Sequence, residues 1–169
     1  MVEKKSGANR YHIKANASFT IREGWLTKGL RHVAENPDIF IDETSAVRQL
    51  GVGSAMVKSM RYWMQATGLS TEPRAGKRSQ TLTELGQLII DKDLYFEDFF
   101  TLCLIHYNMV KEPYMATVWY LLFNNFNAQR FTKDNMTSAL LAAYKEMTQN
   151  TFSEASFRDN RTICWYMCI

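Results

Sequence analysis

The sequence predicts a mainly α protein: an N-terminal winged helix-turn-helix with a small β-hairpin wing, followed by an all-helical region. Three observations carry this. The stretch "ETSAVRQLGVGSAMVKSMRYWMQATGL", Glu43 to Leu69, reads as a short helix, a glycine turn and a longer helix. The following "STEPRAGKRSQTLT" places turn residues Pro73 and Gly76 between segments able to pair as two short strands. From Leu94 onward the chain reads as successive helices. With 46% hydrophobic residues in 169, the chain can bury a core, which argues against wholesale disorder. The expected division is a winged-helix DNA-binding domain over residues 1–90 and a helical domain over 91–169.

Residues 1–17 read as a polar entry arm. Thr20 and Glu23 have the spacing of a capping box, in which each side chain satisfies a free backbone N–H of the first turn. The helix that follows is expected to bury Trp25, Leu26, Leu30 and Val33 and to end near Asn36-Pro37. Gly24 and Gly29 lower its propensity, so close packing is expected there. "DIFID" is a short apolar connector. Thr44 or Ser45 then caps a helix that turns Ala46, Val47 and Leu50 inward. Gly51 supplies the positive φ that ends it. Val52 plugs the turn, Ser54 caps the next helix, and Val57 and Met60 pack the second helix on the first. After the hairpin, Thr83 caps a helix beginning Glu84-Leu85-Gly86. Three more helices are expected at Phe96–Val110, Tyr114–Asn125 and Lys133–Gln149, with Pro113 breaking the chain and Thr132 capping the last. "FSEASFRDN" has Ser153 or Ser156 as the start of another helix, but the periodicity breaks near Asn160, as expected of a chain truncated there.

The net charge of +3 decides little; its distribution is more informative. From Thr44 to Gln80 there are six basic residues and one acid, Glu72, a local +5; from Thr81 to Pro113 there are two basic residues and six acids, a local −4. A basic block beside an acidic one points to a face that seeks an anion. Ser54, Lys58, Arg61 and Gln65 follow one another at helical spacings of four, three and four, which gathers them on one face with Tyr62 at its edge. A helix laid in the DNA major groove presents such a stripe. Ser54 and the N–H groups beside it suit a phosphate, Arg61 a guanine edge and Gln65 an adenine edge. Arg74, Lys77 and Arg78 on the hairpin suit a neighbouring phosphate or the minor groove. About six phosphate contacts would make affinity fall roughly a thousandfold between about 50 and about 200 mM salt. The alternative is a solvated helix face, or a helix-turn-helix that contacts protein. Arg22, Trp25, Lys28 and Arg31 form a second basic and aromatic group, read as core and ordinary surface.

Other chemistry is thinly supported. No histidine pair among His12, His32 and His106 has metal-ligand spacing, and Cys164 and Cys168 lack a second pair, so no zinc is expected. Cys103 and His106 lie one helical turn apart but read as packing. Asp91, Asp93, Glu97 and Asp98, with Lys92, are the groups a magnesium-dependent nickase would use, yet acids at a helix start also suit the helix dipole. No GxxxxGK[ST], GxGxxG or GxSxG motif is present, and no cofactor is expected. Three cysteines without an apolar leader fit a cytoplasmic protein. The most apolar run, Leu94 to Val110, is interrupted by Glu97, Asp98 and His106 and is not a membrane span.

Four segments in order, "FTIREGWLTKGL", "LGVGSAMVKSMRYWMQATGL", "LTELGQLI" and "YFEDFFTLCLIHYNMV", resemble a bacterial domain-of-unknown-function family. Its members occur in gene clusters for DNA phosphorothioation and antiphage defence, where the family is similar to the B component, SspB. The resemblance covers Tyr11 to Arg158. It implies a cytoplasmic DNA-binding subunit that works with a cysteine desulfurase, an ATPase and a sulfur-transfer enzyme. It also attaches a nicking role to that component, for which no residue of this chain is assigned. The resemblance further implies a longer protein, with this chain as its N-terminal part. Together these readings give a DNA-binding subunit of a modification complex, against a protein-interaction module or a nickase using Asp91, Asp93 and Glu97.

Overall fold

The computed structural model describes residues 11–149, apart from 14, 15, 17, 18, 74 and 75. Most of the entry arm, Arg74 and everything after Gln149, including Ser153, Ser156, Cys164 and Cys168, lie outside the described residues.

The order is α1 (Trp25–Glu35), α2 (Glu43–Leu50), α3 (Ser54–Ala66), β1 (Ser70–Thr71), β2 (Thr81–Leu82), α4 (Glu84–Lys92), α5 (Phe99–Val110), α6 (Thr117–Asn125) and α7 (Lys133–Thr148). The fold is mainly α. The strands pair antiparallel, Ser70 with Leu82 and Thr71 with Thr81.

α3 is the hub of the N-terminal half. α1 and α2 both pack on it, through Leu30, Leu50, Val57, Met60, Trp63 and Met64, all of them buried. Gly29 permits the α1–α3 approach: a Cβ there would lie 2.6 Å from Met64 Sδ. Gly24 is different, since nothing lies within 4 Å of its Cβ position.

The helix starts differ from the sequence expectation at several points. Thr20 and Glu23 do not form the first cap. The chain turns through Gly24 at φ 74°, with no side-chain cap, and α1 begins at Trp25. Asp42, rather than Thr44 or Ser45, caps α2: its carboxylate accepts from Thr44 N. Ser54 is already helical, and the extended N-cap position belongs to Gly53. Phe96 sits at φ 56°, outside helical geometry, so α5 starts later, where Asp98 accepts from Phe100 N. α6 starts at Thr117, after a turn through Pro113 to Ala116. Gly51 (φ 64°), Thr83 and Thr132 take the capping roles expected of them.

α5 packs on α6, and α6 on α7. Long-range bonds join this half to the first. Thr27 Oγ1 donates to Leu94 O (2.8 Å), Tyr62 Oη to Met115 O (2.8 Å), and His12 N to Tyr114 O (3.0 Å). Among the described residues no helix is long and apolar enough to cross a membrane.

Asp93, in the turn between α4 and α5, and Asp91, near the end of α4, are engaged locally. Asp93 accepts from Glu97 N (2.9 Å) and Asp98 N (3.1 Å), and Asp91 accepts from Gln87 Nε2 (3.1 Å). The Thr101 hydroxyl does most to hold the Asp93 pKa below the usual carboxylate value; partial desolvation opposes it, and the Glu97 and Asp98 N–H groups reinforce it. The unfolded chain therefore takes up this proton more readily than the folded one. The stabilisation is present above the ordinary carboxylate pKa and is lost as pH falls through the depressed one. Asp93→Asn is expected to flatten the acid side of a stability-versus-pH curve followed by urea unfolding, relative to the unchanged protein.

Candidate nucleic-acid interface

The stripe of α3 is ordered by its own neighbours. Arg61 Nε donates to Glu72 Oε2 (2.7 Å), and its Nη2 donates to Glu72 Oε1, so the guanidinium forks onto the carboxylate. The Arg61 side chain is 25% exposed and that of Glu72 11%, which leaves the pair largely shielded from water. Gln65 Nε2 adds a bond to the same carboxylate (3.2 Å) and one to Arg61 O (3.2 Å). Gln80, fully buried, completes the join: Nε2 donates to Arg61 O (3.0 Å), and Oε1 accepts from Ser70 Oγ (2.9 Å). Its backbone N donates to Pro37 O (2.8 Å). Two residues expected to read bases, Arg61 and Gln65, thus fasten the hairpin to α3. The planar guanidinium fork fits a carboxylate as well as it fits a base edge or phosphate.

Tyr62 is placed away from the stripe. It is buried, edge-on to Trp63 at 4.9 Å between ring centroids, and its hydroxyl is bonded to Met115 O. Ser54 and Lys58 are exposed. Lys58 Nζ lies 3.0 Å from Glu43 Oε2, with both side chains well exposed, a type of contact that contributes little and exchanges easily. Lys77 and Arg78 are exposed beyond the hairpin turn at Gly76 (φ 105°). Lys28 is directed elsewhere, its Nζ donating to Leu50 O at the end of α2 (2.8 Å). Arg22 lies over the Phe19 and Trp25 rings, and Arg31 Nη2 donates to Tyr95 Oη (2.7 Å).

The residue that sequence reasoning passed over is Glu72. Its signal was present, as the lone acid in a basic block. Glu72→Ala leaves the largely shielded Arg61 charge without this partner and loosens the hairpin. We expect a loss of about 2 kcal/mol in urea unfolding, with a smaller loss for Glu72→Gln, which keeps an acceptor.

Cys103 and His106 both line a groove beside α5, with no hydrogen bond between them. His106 is edge-on to Phe123 at 4.4 Å, and burial pushes its pKa down, favouring the neutral ring.

Residues 15–168 match the family described as "Protein of unknown function (DUF4007)". The chain belongs to the DUF4007 family. It is also similar to two solved structures, described as "SspB crystal structure" and "Magnesium ion-bound SspB crystal structure". Identity to each is 26%, over 94% of this chain, with TM-scores of 0.81 and 0.80 respectively. The chain spans about half of those structures, 49% and 48% of their lengths. No curated protein matches it. Among the described residues of this DUF4007 chain, no three His, Cys, Asp or Glu side chains gather closely enough to hold a metal ion.

Proposed function

We propose that this DUF4007 protein is a DNA-binding subunit of a DNA phosphorothioation and defence complex in the cytoplasm. Its α1–α3 unit and hairpin act as a winged helix that grips DNA through phosphates. The observation that carries this is the Arg61–Glu72–Gln65–Gln80 join, which fixes the basic hairpin against α3. Lys58, Lys77 and Arg78 then stand as exposed cations on α3 and the hairpin braced to it, with Ser54 and the uncapped start of α3 one turn before Lys58. The similarity to SspB supports the cellular setting, with a cysteine desulfurase, an ATPase and a sulfur-transfer enzyme as companions.

In this reading Arg61 and Gln65 are positioning residues, and Tyr62 anchors α3 to the helical half. With the base-reading side chains engaged within the protein, the contact is governed by phosphates and discriminates little between sequences. Three phosphate contacts from Lys58, Lys77 and Arg78 give a salt slope of about −2.7, or roughly a 40-fold fall in affinity between about 50 and about 200 mM salt. Fluorescence anisotropy with a generic duplex and its single strand across that salt range tests this. Absent or salt-insensitive binding to both strands overturns it. Of the residues of the nicking alternative, Asp91, Asp93 and Glu97, the first two carboxylates already accept hydrogen bonds from Gln87 and from the Glu97 and Asp98 N–H groups.

A further inference from the structure

α5 has the wrong sequence for a helix with one face in water. Its twelve residues, "FFTLCLIHYNMV", carry no Asp, Glu, Lys or Arg. A helix that is apolar all round belongs inside a protein. Yet only Thr101, Ile105 and Met109, one narrow stripe, are buried. The opposite side leaves Phe99 77%, Phe100 67%, Tyr107 60% and Leu102 47% exposed, with Tyr95 beside them at 66%.

We propose that this face is an interface between two copies of the chain, with α5 packed antiparallel on α5 about a two-fold axis near Cys103–Leu104. Three features select a second copy. The first is spacing: the exposed Phe100, Cys103 and Tyr107 recur at three and four, the seam one helix offers another. The second is area. At about 200 Å² for a fully exposed aromatic side chain, the exposed fractions leave roughly 600 Å² of apolar surface per copy. Two facing copies would bury about 1,200 Å², within the range of specific interfaces.

The third is charge. Glu97 and Asp98 precede α5, and Lys111 follows it, with Glu112 next in the chain, so one end is acidic and the other carries no net charge. An antiparallel pair places the acids of one copy beside the Lys111 of the other, and a parallel pair would place like beside like. A groove of about 880 Å³ lies between α5 and the start of α1, lined in part by Leu26, Phe96, Phe99, Leu102 and Met109. It can receive an aromatic ring from the facing helix. A self-complementary apolar seam whose acidic end meets Lys111 of the other copy, rather than a second acidic end, suits an isologous contact.

The test is the solution mass by light scattering at tens of micromolar protein. The expected value is twice the 19.6 kDa of one chain. Phe100→Glu and Tyr107→Glu, both at exposed positions, should each give a monomer with an unchanged circular dichroism spectrum. Glu97→Lys should raise the dimer dissociation constant about tenfold, and Glu97→Lys with Lys111→Glu should restore it. A monomeric unchanged protein, a dimer indifferent to these substitutions, or a Glu97→Lys defect that Lys111→Glu does not repair overturns the proposal. Finding the face held by a different protein overturns it as well.

Discussion

Replacing Lys77 and Arg78 together by glutamate is expected to weaken DNA binding by about 10- to 100-fold near 100 mM salt. The loss should be the same for every duplex sequence. Both side chains stand exposed on the hairpin, and among the described residues neither has an ion-pair partner. Their removal therefore leaves no buried group unsatisfied and should not alter folding. The physical content of the prediction lies in the salt dependence: two fewer counterions released should lower the slope of log affinity against log salt by about 2. Arg61→Ala supplies the contrast. If Arg61 braces the hairpin, its loss should lower stability and DNA affinity together without changing sequence preference. A shift in sequence preference with unchanged stability would return Arg61 to the base-reading role that its place in the α3 stripe suggests. Anisotropy with a small panel of duplexes, beside urea unfolding of each variant, separates the two.

That stripe shows how far the sequence could be read. Helical spacing alone places Ser54, Lys58, Arg61 and Gln65 on one side of α3 and Met60, Trp63 and Met64 in the core, because a helix has a fixed period. Spacing says nothing about what a later strand brings alongside. The chain just after β1 brings Glu72 back to Arg61, eleven residues away, and its carboxylate engages both candidate base readers, Arg61 and Gln65, within the protein. Tyr62 was misplaced for a similar reason. Its neighbours on α3 are polar, but the turn leading into α6 covers it, fifty-three residues further on. Some helix ends were legible, as at Gly51, Thr83 and Thr132, while the caps expected at Thr20 and Ser54 fell to Gly24 and Gly53. They were ambiguous at "DETS", where Asp42, Thr44 and Ser45 are all good caps and the extended backbone at Asp42 decides. The positive φ of Phe96 has no sequence signal, since an aromatic residue is a poor candidate for that conformation.

Gly86→Ala is expected to be the most damaging single-methyl change in the described chain. An alanine in an exposed helix would be better than glycine by about 1 kcal/mol, so propensity alone predicts stabilisation. Geometry predicts the opposite. A Cβ on Gly86 would lie 2.2 Å from Leu69 O and 3.1 Å from Leu69 C, both backbone atoms at a fully buried residue. They cannot swing aside as a side chain would. α4 is clasped here by Thr83, whose hydroxyl donates to Gly68 O (2.6 Å) and accepts from Gly86 N (3.0 Å), while Thr83 N donates to Leu69 O (3.0 Å). Relieving the clash means moving α4 off the end of α3 and the first strand, which opens this clasp. A net loss of about 3 kcal/mol follows from the overpacking and the broken bonds. Thr83→Val, which keeps the shape and deletes the hydroxyl, should cost about 1–2 kcal/mol. Because both changes open the same joint, the double variant should lose less than the two losses added together. Urea unfolding of the four proteins measures that coupling. A Gly86→Ala protein as stable as the unchanged one would mean that α4 does not rest on Leu69 this closely.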